Sequence, residues 1–501
     1  MGSDAQADDA ATWFAGTAAA PPRARLNYDL DADVCVIGGG IAGLTAAREV
    51  ALRGWSVVVL EARRVASGAS GRNGGVVLPG FSAPLEGIVE RIGAEAARAL
   101  WGLSRTGVDY IRDTIAETGE DGVVEGRGRL EVWKWPDPSG TAARAALLAG
   151  MGTEAEAWPA ERVRDVLRTS HYFGGVFVPG AFAINPLAYA ARLCDAALEA
   201  GVRIFENTEV TAVDLAGVRK RITTPKGRVR ASHVVLAGNV RLAGIVPPLT
   251  GTLIPVTAHV GVTAPLGDRL AHAMAFRGAV APSRPRGHHH RVVGGDRLLW
   301  SGTGAVWARR ALERAVMRTY PQLGRVRFEY FATAPTGFAV HGMPQIGEVS
   351  RGVWVASAFG GQGLNTSAMA GILVARAIVA GDDAWRRFLP FELVWAGGGA
   401  GRIVVRAAAA WRRGADAAVA LAARQREEFR RAGEHAPELR KKPEKPGAAA
   451  RLAAEMGAKV KLALPSPADA LPSLKRVMKV GKPGAGRIGD TESGPGSTEA
   501  E

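Results

Sequence analysis

The apolar positions fall into short runs and helical stripes cut by glycine, and the sharpest pattern lies near the beginning. Val34, Cys35, Val36 and Ile37, led in by Asp33, form a continuous apolar run that predicts a buried parallel strand. Gly38, Gly40 and Gly43 follow at the offsets of a G-x-G-x-x-G turn. A helical stripe covers 44–53, Gly54 stops it, and 56–60 is a second apolar run with Glu61 at its tip. Strand, glycine turn, helix, strand and acid in this order predict a nucleotide site of the Rossmann type. The glycines let the backbone turn tightly and approach a pyrophosphate, the helix N-terminus favours its charge, and the carboxylate accepts from ribose hydroxyls. NAD and FAD both carry an adenosine ribose, so the stretch does not choose between them.

Downstream, apolar residues at three-to-four spacing (Ile88, Ile92, Ala96, Leu100, Leu103) predict helix over 86–117, with more helix at 141–157 and 159–168. Strands are expected at 128–135 and around 176–178 and 182. Asn185 as cap and Pro186 in the first turn open a helix over 187–200, which Gly201 stops. Short strands follow at 203–206, 209–214, 221–224, 228–230 and 233–237, the last able to return to the nucleotide sheet. Residues 250–335 read as strand-rich, at 254–262, 271–276, 297–300 and 325–331, with a helix at 308–320. This predicts an antiparallel sheet in a second domain. A buried strand at 353–358, the glycines Gly360, Gly361 and Gly363, and a helix over 366–380 repeat strand, turn and helix, offering a second helix N-terminus. Residues 386–432 keep an Ala- and Arg-rich helical pattern with Trp395, Trp411 and Phe429. From Gly433 the composition predicts disorder, apart from a short amphipathic piece at 449–463.

Composition changes this picture little. With 501 residues, 47% of them apolar and 22% charged, the chain is in the globular range. The formal charge of +15 suggests nucleic acid until it is located: residues 386–501 hold 22 Lys and Arg against 13 Asp and Glu, about +9 of the total. The body is only mildly basic, and no specific nucleic-acid partner is expected. Cys35 and Cys194 lie in apolar patterns and read as small buried hydrophobes rather than a disulfide framework. The beginning is acidic (Asp4, Asp8, Asp9) and unlike a signal peptide, and no 18 consecutive residues are apolar, so the cytoplasm is the expected compartment. His288, His289 and His290 invite a metal reading. Neighbours on a strand alternate faces and no Cys or carboxylate cluster accompanies them, so no metal is predicted.

Several stretches in order resemble the D-amino-acid-oxidase-like family of flavoproteins, and within it the bacterial γ-glutamylputrescine oxidase-like and glycine oxidase-like branch. They are 33–61 as above, Gly68-Ala69-Ser70-Gly71-Arg72-Asn73-Gly74-Gly75, Asn185-Pro186-Leu187, Val234 to Gly238, His341-Gly342-Met343-Pro344, Phe359 to Thr366, and Pro390-Phe391 with Val394-Trp395-Ala396-Gly397. The resemblance spans roughly 12–430. It implies non-covalent FAD, with Gly38, Gly40, Ile41, Ala42, Gly43 and Glu61 on the adenosine and pyrophosphate. Ala62, Arg63 and Val210 would lie by the adenine. Ser70, Gly71, Arg72, Asn73 and Gly74 would run along the flavin ring, and Gly238 would also contact the cofactor. Gly360, Gly361, Gly363, Leu364 and Asn365 would bring N–H groups and a helix dipole to its N1–O2 edge, where the reduced ring is anionic. Two departures stand out: Asn185-Pro186 where relatives often carry His-Pro, and Gly342 where many carry Lys.

The expected fold is α/β with an α+β second domain: a Rossmann-type FAD-binding domain of discontinuous segments (31–122, 185–248 and 336–385) plus an antiparallel-sheet substrate domain (123–184 and 249–335). An arm (1–30), a helical extension (386–432) and a basic tail (433–501) complete it. The implied activity is oxidation of an amine or amino acid, with O2 as acceptor. The alternatives are a dehydrogenase serving a quinone or carrier, and a nucleotide-binding module docked by its basic tail. Candidate catalytic residues are His341, as substrate contact or proton acceptor, Arg291, as a carboxylate anchor, and Arg72, in the flavin loop. Their structural alternatives are a hydrogen-bonded turn, a surface salt bridge and a loop fastener.

Overall fold

The computed structural model describes residues 22–283, 287–303, 308–397 and positions 422 and 425. Most of the expected arm, and nearly all of the extension and tail beyond 397, lie outside the described residues. Of the expected helical extension up to 397, only 386–388 are helical, at the end of a 3-10 turn over Ala384–Phe388, and 389–397, Trp395 included, are not. Two sheets organise the rest. The first is eight-stranded, with the path Gln345–Ser350, Val353–Ser357, Arg228–Leu236, Leu30–Ile37, Val57–Leu60 and Arg203–Phe205; Lys220–Thr223 and Ala212–Asp214 extend it as an antiparallel branch. Its central pairings are parallel. Such strands are covered on both faces, which is why they read as unbroken apolar runs.

Register then fixes where the cavity lies. Ile37 stands opposite both Leu60 and Leu236, and Leu236 opposite Val355. Gly38, Glu61, Gly238 and the turn after Ser357 therefore leave the sheet at one level, on the carboxyl edge where ligands of open α/β sheets bind. Helix Gly363–Ala380 packs on helix Ile41–Ala51 so tightly that a Cβ at Gly371 would lie 2.6 Å from Thr45 Cβ. Among the described residues this is the helix long and apolar enough to span a membrane, but 78% of it is buried within the protein, as a core helix is.

The second sheet is nine-stranded, with the path Phe328–Phe338, Ile254–Thr263, Arg297–Thr303, His289–Val293, Ala279–Pro282, Val124–Val132, Gly175–Ile184 and Val76–Val77; Glu156–Trp158 pairs beside Gly175–Ile184. It is antiparallel as expected, except that Ala279–Pro282 runs parallel to Val124–Val132. Other local expectations need correction. The helix over 86–117 is two, Leu85–Ile92 and Ala94–Thr118, split by Gly93 at φ 82°. Residues 151–157 are not helical: Pro138–Gly150 ends before them, and Glu156–Trp158 is a strand. No strand forms at 271–276: 271–273 end helix Asp268–Ala273, opened by Gly267 at φ 54°, 274–276 are irregular, and the strand comes later, at Ala279–Pro282. Leu270 and Ala273 are its buried face and Met274 follows as a buried, extended C-cap, a spacing that a six-residue window could not separate from alternation.

Candidate active site

A cavity of about 2770 Å³ lies between the carboxyl edge of the first sheet and the second sheet. At its first-sheet end the backbone comes close because side chains are absent. Gly38 has φ 116°, and a Cβ there would lie 2.8 Å from the Ala237 carbonyl. A Cβ at Gly40 would meet Ser70 Oγ at 2.8 Å, and one at Gly43 would lie 2.0 Å from the Gly38 carbonyl oxygen. Helix Ile41–Ala51 starts there without a cap from its own N-cap residue; the Ile41 N–H donates instead to Ser70 Oγ at 3.1 Å. Ile41 and Ala42 line the cavity.

Glu61 accepts from the Gly39 N–H at 2.7 Å and the Arg63 N–H at 3.0 Å. Burial pushes its pKa up, and these two bonds oppose the rise. Ala62, Arg63, Val210 and Gly238 line the same end. One organiser escaped the sequence reading. Glu206, 1% exposed, accepts from the N–H groups of Arg23 and Val65 at 2.8 and 2.7 Å, and lies 2.9 Å from Arg64 Nε. It holds the segment after Glu61, and a lone acid ending a short strand carries no motif.

Across the cavity, Ser70, Arg72, Asn73 and Gly74 line the loop that links the two sheets. Gly71 does not line the cavity; it packs where a Cβ would sit 2.5 Å from the Ala66 carbonyl oxygen. Asn73 fastens the loop internally, donating to Ala69 and Ser70 carbonyls and accepting from the Gly75 N–H. The second glycine turn faces it. Gly360 takes φ 60° and donates to the Gly337 carbonyl at 3.2 Å, while the Gly361 N–H donates to Ser82 Oγ at 3.0 Å. Those two N–H groups, expected to face the ligand, are thus engaged within the protein. Ser82 is a second residue the sequence reading missed. Helix Gly363–Ala380 begins at the cavity with no side-chain cap from Gln362, and Gly363 and Leu364 line the wall. The first-turn N–H groups of a helix lack intrahelical partners, so this end favours an electron-rich ligand. Asn365 turns inward and donates to the Gly80 carbonyl at 3.0 Å.

The candidate catalytic residues fare differently. Arg72 lines the cavity. His341 also lines it, but Nδ1 accepts from the Met343 N–H at 3.1 Å and Nε2 donates to the Glu392 carbonyl at 3.2 Å. Burial lowers its pKa to about 4, so the ring is neutral at ordinary pH. Both ring nitrogens fasten a turn, which leaves the expected proton acceptor without a lone pair to offer. Arg291 is not at the cavity wall and is not the surface ion pair its alternative reading described. It is 1% exposed, donates to the Gly74 and Ile184 carbonyls at 2.8 and 2.9 Å, and lies 2.6 Å from Glu125. Its Nε and Nη2 are committed to the protein, and Nη1 is buried away from the cavity wall without a hydrogen-bond partner among the described residues, so Arg291 does not serve as a carboxylate anchor.

On the second sheet, His288 and His289 line the cavity with Trp300 and Ser301. His290 stacks on Trp300 at 4.2 Å and shares a 2.8 Å hydrogen bond with Tyr320 OH. Burial lowers His288 to about 4 and His289 to about 3. Among the described residues no group of His, Cys, Asp or Glu is arranged to hold a metal. Cys35 and Cys194 are fully buried, and burial raises both thiol pKa values, Cys194 to about 12.

Comparison with known proteins gives this geometry a context. Residues 33–377 match the family model described as FAD dependent oxidoreductase. The gamma-glutamylputrescine oxidoreductase of Escherichia coli is 29% identical over 373 residues, covering 70% of this chain and 85% of that protein. A probable oxidoreductase, OrdL, of Haemophilus influenzae is 27% identical over 384 residues, covering 72% and 85%. Among solved structures, glycine oxidase from Geobacillus kaustophilus superposes with a TM-score of 0.60 at 21% identity, covering 72% of this chain and 98% of that one. L-proline dehydrogenase from P. horikoshii gives 0.60 at 18%, covering 73% and 98%.

Proposed function

The chain belongs to the FAD dependent oxidoreductase family, and from that premise we propose that it oxidises an amine or amino acid at the C–H bond beside nitrogen. The observation that carries this reading is the convergence of two glycine turns and an uncapped helix on one cavity that continues onto the second sheet. The relatives named for γ-glutamylputrescine, glycine and L-proline support a nitrogen-bearing substrate.

The residues present fit FAD. Gly38, Gly40 and Gly43 let the first turn pack against Ala237, Ser70 and the Gly38 carbonyl so that its main chain and the start of helix Ile41–Ala51 face the cavity. Glu61 offers a carboxylate at the tip of the second strand, and the helix at Gly363 opens uncapped. FAD, when bound, supplies the two-electron acceptor for a hydride leaving carbon. Gly38, Gly40, Ile41, Ala42 and Gly43 would hold its pyrophosphate at a helix N-terminus. Glu61, Ala62, Arg63 and Val210 would hold the adenosine. Ser70, Arg72, Asn73 and Gly74 would flank the ring from one side, and Gly363 and Leu364 would present the positive helix end from the other, while Gly238 would lie by the first glycine turn. Gly360 and Gly361 also line this wall, with their N–H groups engaged by Gly337 and Ser82, and Gly71 and Asn365 support these segments from behind.

The second-sheet wall would orient the substrate carbon and exclude water. With His341 tied into its turn, the substrate enters reaction as the neutral amine, and the rate follows the ionisation of the amine itself. O2 takes the electrons in this reading, giving H2O2. Gly342, at φ 75°, places no side chain by the cavity and leaves a quinone or carrier as the alternative acceptor.

Purified full-length protein tests the proposal. Anaerobic mixing with a panel of primary and secondary amines and amino acids should bleach the visible flavin band, and air should then yield peroxide. A flavin band that no member bleaches would refute amine oxidation. Bleaching without peroxide, reversed by a quinone, would point to the dehydrogenase.

A further inference from the structure

The loop carrying Asn73 and Gly74 is gripped from two sides. From within, Asn73 ties it to Ala69, Ser70 and Gly75. From the second sheet, Arg291 on strand His289–Val293 donates through Nε to the Gly74 carbonyl at 2.8 Å and through Nη2 to the Ile184 carbonyl at 2.9 Å. Ile184 in turn donates its N–H to the Gly75 carbonyl at 2.7 Å. The fit leaves no slack. Gly75 takes φ 74°, and a Cβ there would lie 2.0 Å from the Ile184 carbonyl oxygen and 2.8 Å from Arg291 Nη2. Glu125 completes the arrangement 2.6 Å from the guanidinium. It sits where the register between Val124–Val132 and Gly175–Ile184 shifts, between Val124 and Gly126. A bulge of this kind re-aims a side chain.

A buried guanidinium is a poor device for stability alone, because a well-packed apolar residue often serves as well or better. What it adds is geometry: a planar fork that fixes two acceptors at set angles. Here one acceptor is the carbonyl of Gly74, in the loop lining the cavity. We propose that Arg291, held by Glu125, is a positioning residue that fixes the Gly74 peptide from the second sheet and thereby sets the electronic environment of the bound flavin. It touches neither cofactor nor substrate. The inference rests on FAD occupying the cleft and is independent of which amine is oxidised.

Full-length Arg291→Met, Arg291→Lys and Glu125→Gln, each loaded with FAD, test it through three measurements: the visible-region circular dichroism of the flavin, its midpoint potential, and FAD affinity of the apoprotein. In Arg291→Met the dichroism should change, and the ratio of affinities for reduced and oxidised FAD should shift about tenfold, about 30 mV for a two-electron couple. FAD affinity itself should stay within about threefold, since the phosphate cradle is untouched. Arg291→Lys and Glu125→Gln should fall between this and wild type. Variants that melt earlier yet keep wild-type dichroism and potential would make Arg291 a structural residue and overturn the proposal. Should Arg291→Met fail to fold, Glu125→Gln, whose site is 20% exposed and which leaves both carbonyl bonds in place, decides on the same two readouts. Wild-type protein that takes up no FAD would overturn this proposal together with the reading beneath it; a change confined to the variants bears on the clamp alone.

Discussion

The two sheets meet one cavity in different ways. The first addresses it largely with main chain: Gly38 and Gly40 at one turn, which Gly43 closes from within; Gly360 and Gly363 at another; and the opening turns of two helices. The second addresses it with side chains, His288, His289, Trp300 and Ser301 among them, on strands whose register decides which face they occupy. Main-chain N–H groups are common to every sequence. Recognition through them needs only that the chain come close, and glycine spacing records that need. Recognition through strand side chains depends on pairing partners far away in the chain. In the proposed reading, the first sheet holds the cofactor mainly through main chain and the second presents the side chains that would meet substrate.

The largest test of this contrast is Gly43→Ala. A Cβ 2.0 Å from the Gly38 carbonyl oxygen has no flexible side chain to push aside. We expect a loss of about 1–3 kcal/mol of stability and a colourless protein, read by denaturant titration and the flavin band. A yellow, fully stable variant would break the claim that closeness is what the first sheet supplies.

Acid should separate the sheets next. His288, His289 and His341 are held below the ordinary histidine value, at about 4, 3 and 4, chiefly by burial. The unfolded chain then binds more protons than the folded one below about pH 6.5, so their contribution is complete above that pH and is lost as pH falls through about 4. His233 in the first sheet shares the direction. Asp31 and Asp33, held low chiefly by hydrogen bonds from Arg230 and Ser56, keep their contribution until the pH drops below the usual carboxylate range. Hydrogen exchange between pH 7 and 4.5 should show strands His289–Val293 and Arg297–Thr303 losing protection before Leu30–Ile37. Simultaneous loss would mean that the sheets do not differ in this respect.

Much of the first sheet was legible in the sequence, for the reason the contrast gives. Val34 to Ile37, Glu61 and the glycines occupy fixed offsets, and the return of 233–237 and 353–358 to the same sheet followed from their apolar runs. The second sheet was harder. Arg291 read as an anchor for substrate because its strand could be recognised but its facing could not, and the structure turns it into the protein. Glu206 and Ser82 were invisible because a single acid or hydroxyl bonding to backbone leaves no periodic trace.

Smaller effects sharpen the picture. Glu61→Gln keeps the shape but loses the charge that accepts from Gly39 and Arg63; FAD affinity should fall about tenfold, near 1.4 kcal/mol, by fluorescence titration of apoprotein. An unchanged affinity would remove Glu61 from the cradle. His341→Gln should alter kcat/KM by less than about threefold and leave its pH profile above pH 6 unchanged, because the neutral ring is tied into a turn. A profile that loses an ionisation would restore His341 as an acid–base group.

The central strands of the first sheet, Leu30–Ile37, Arg228–Leu236 and Val353–Ser357, come from the beginning, middle and late parts of the chain. At roughly 5–20 residues per second of synthesis, the first strand emerges tens of seconds before the last. During that interval its edges have no parallel neighbour and its apolar faces no final cover. Birth on the ribosome is thus the period of greatest exposure for this architecture, and the cofactor cradle can close only when more than two-thirds of the polypeptide has been made.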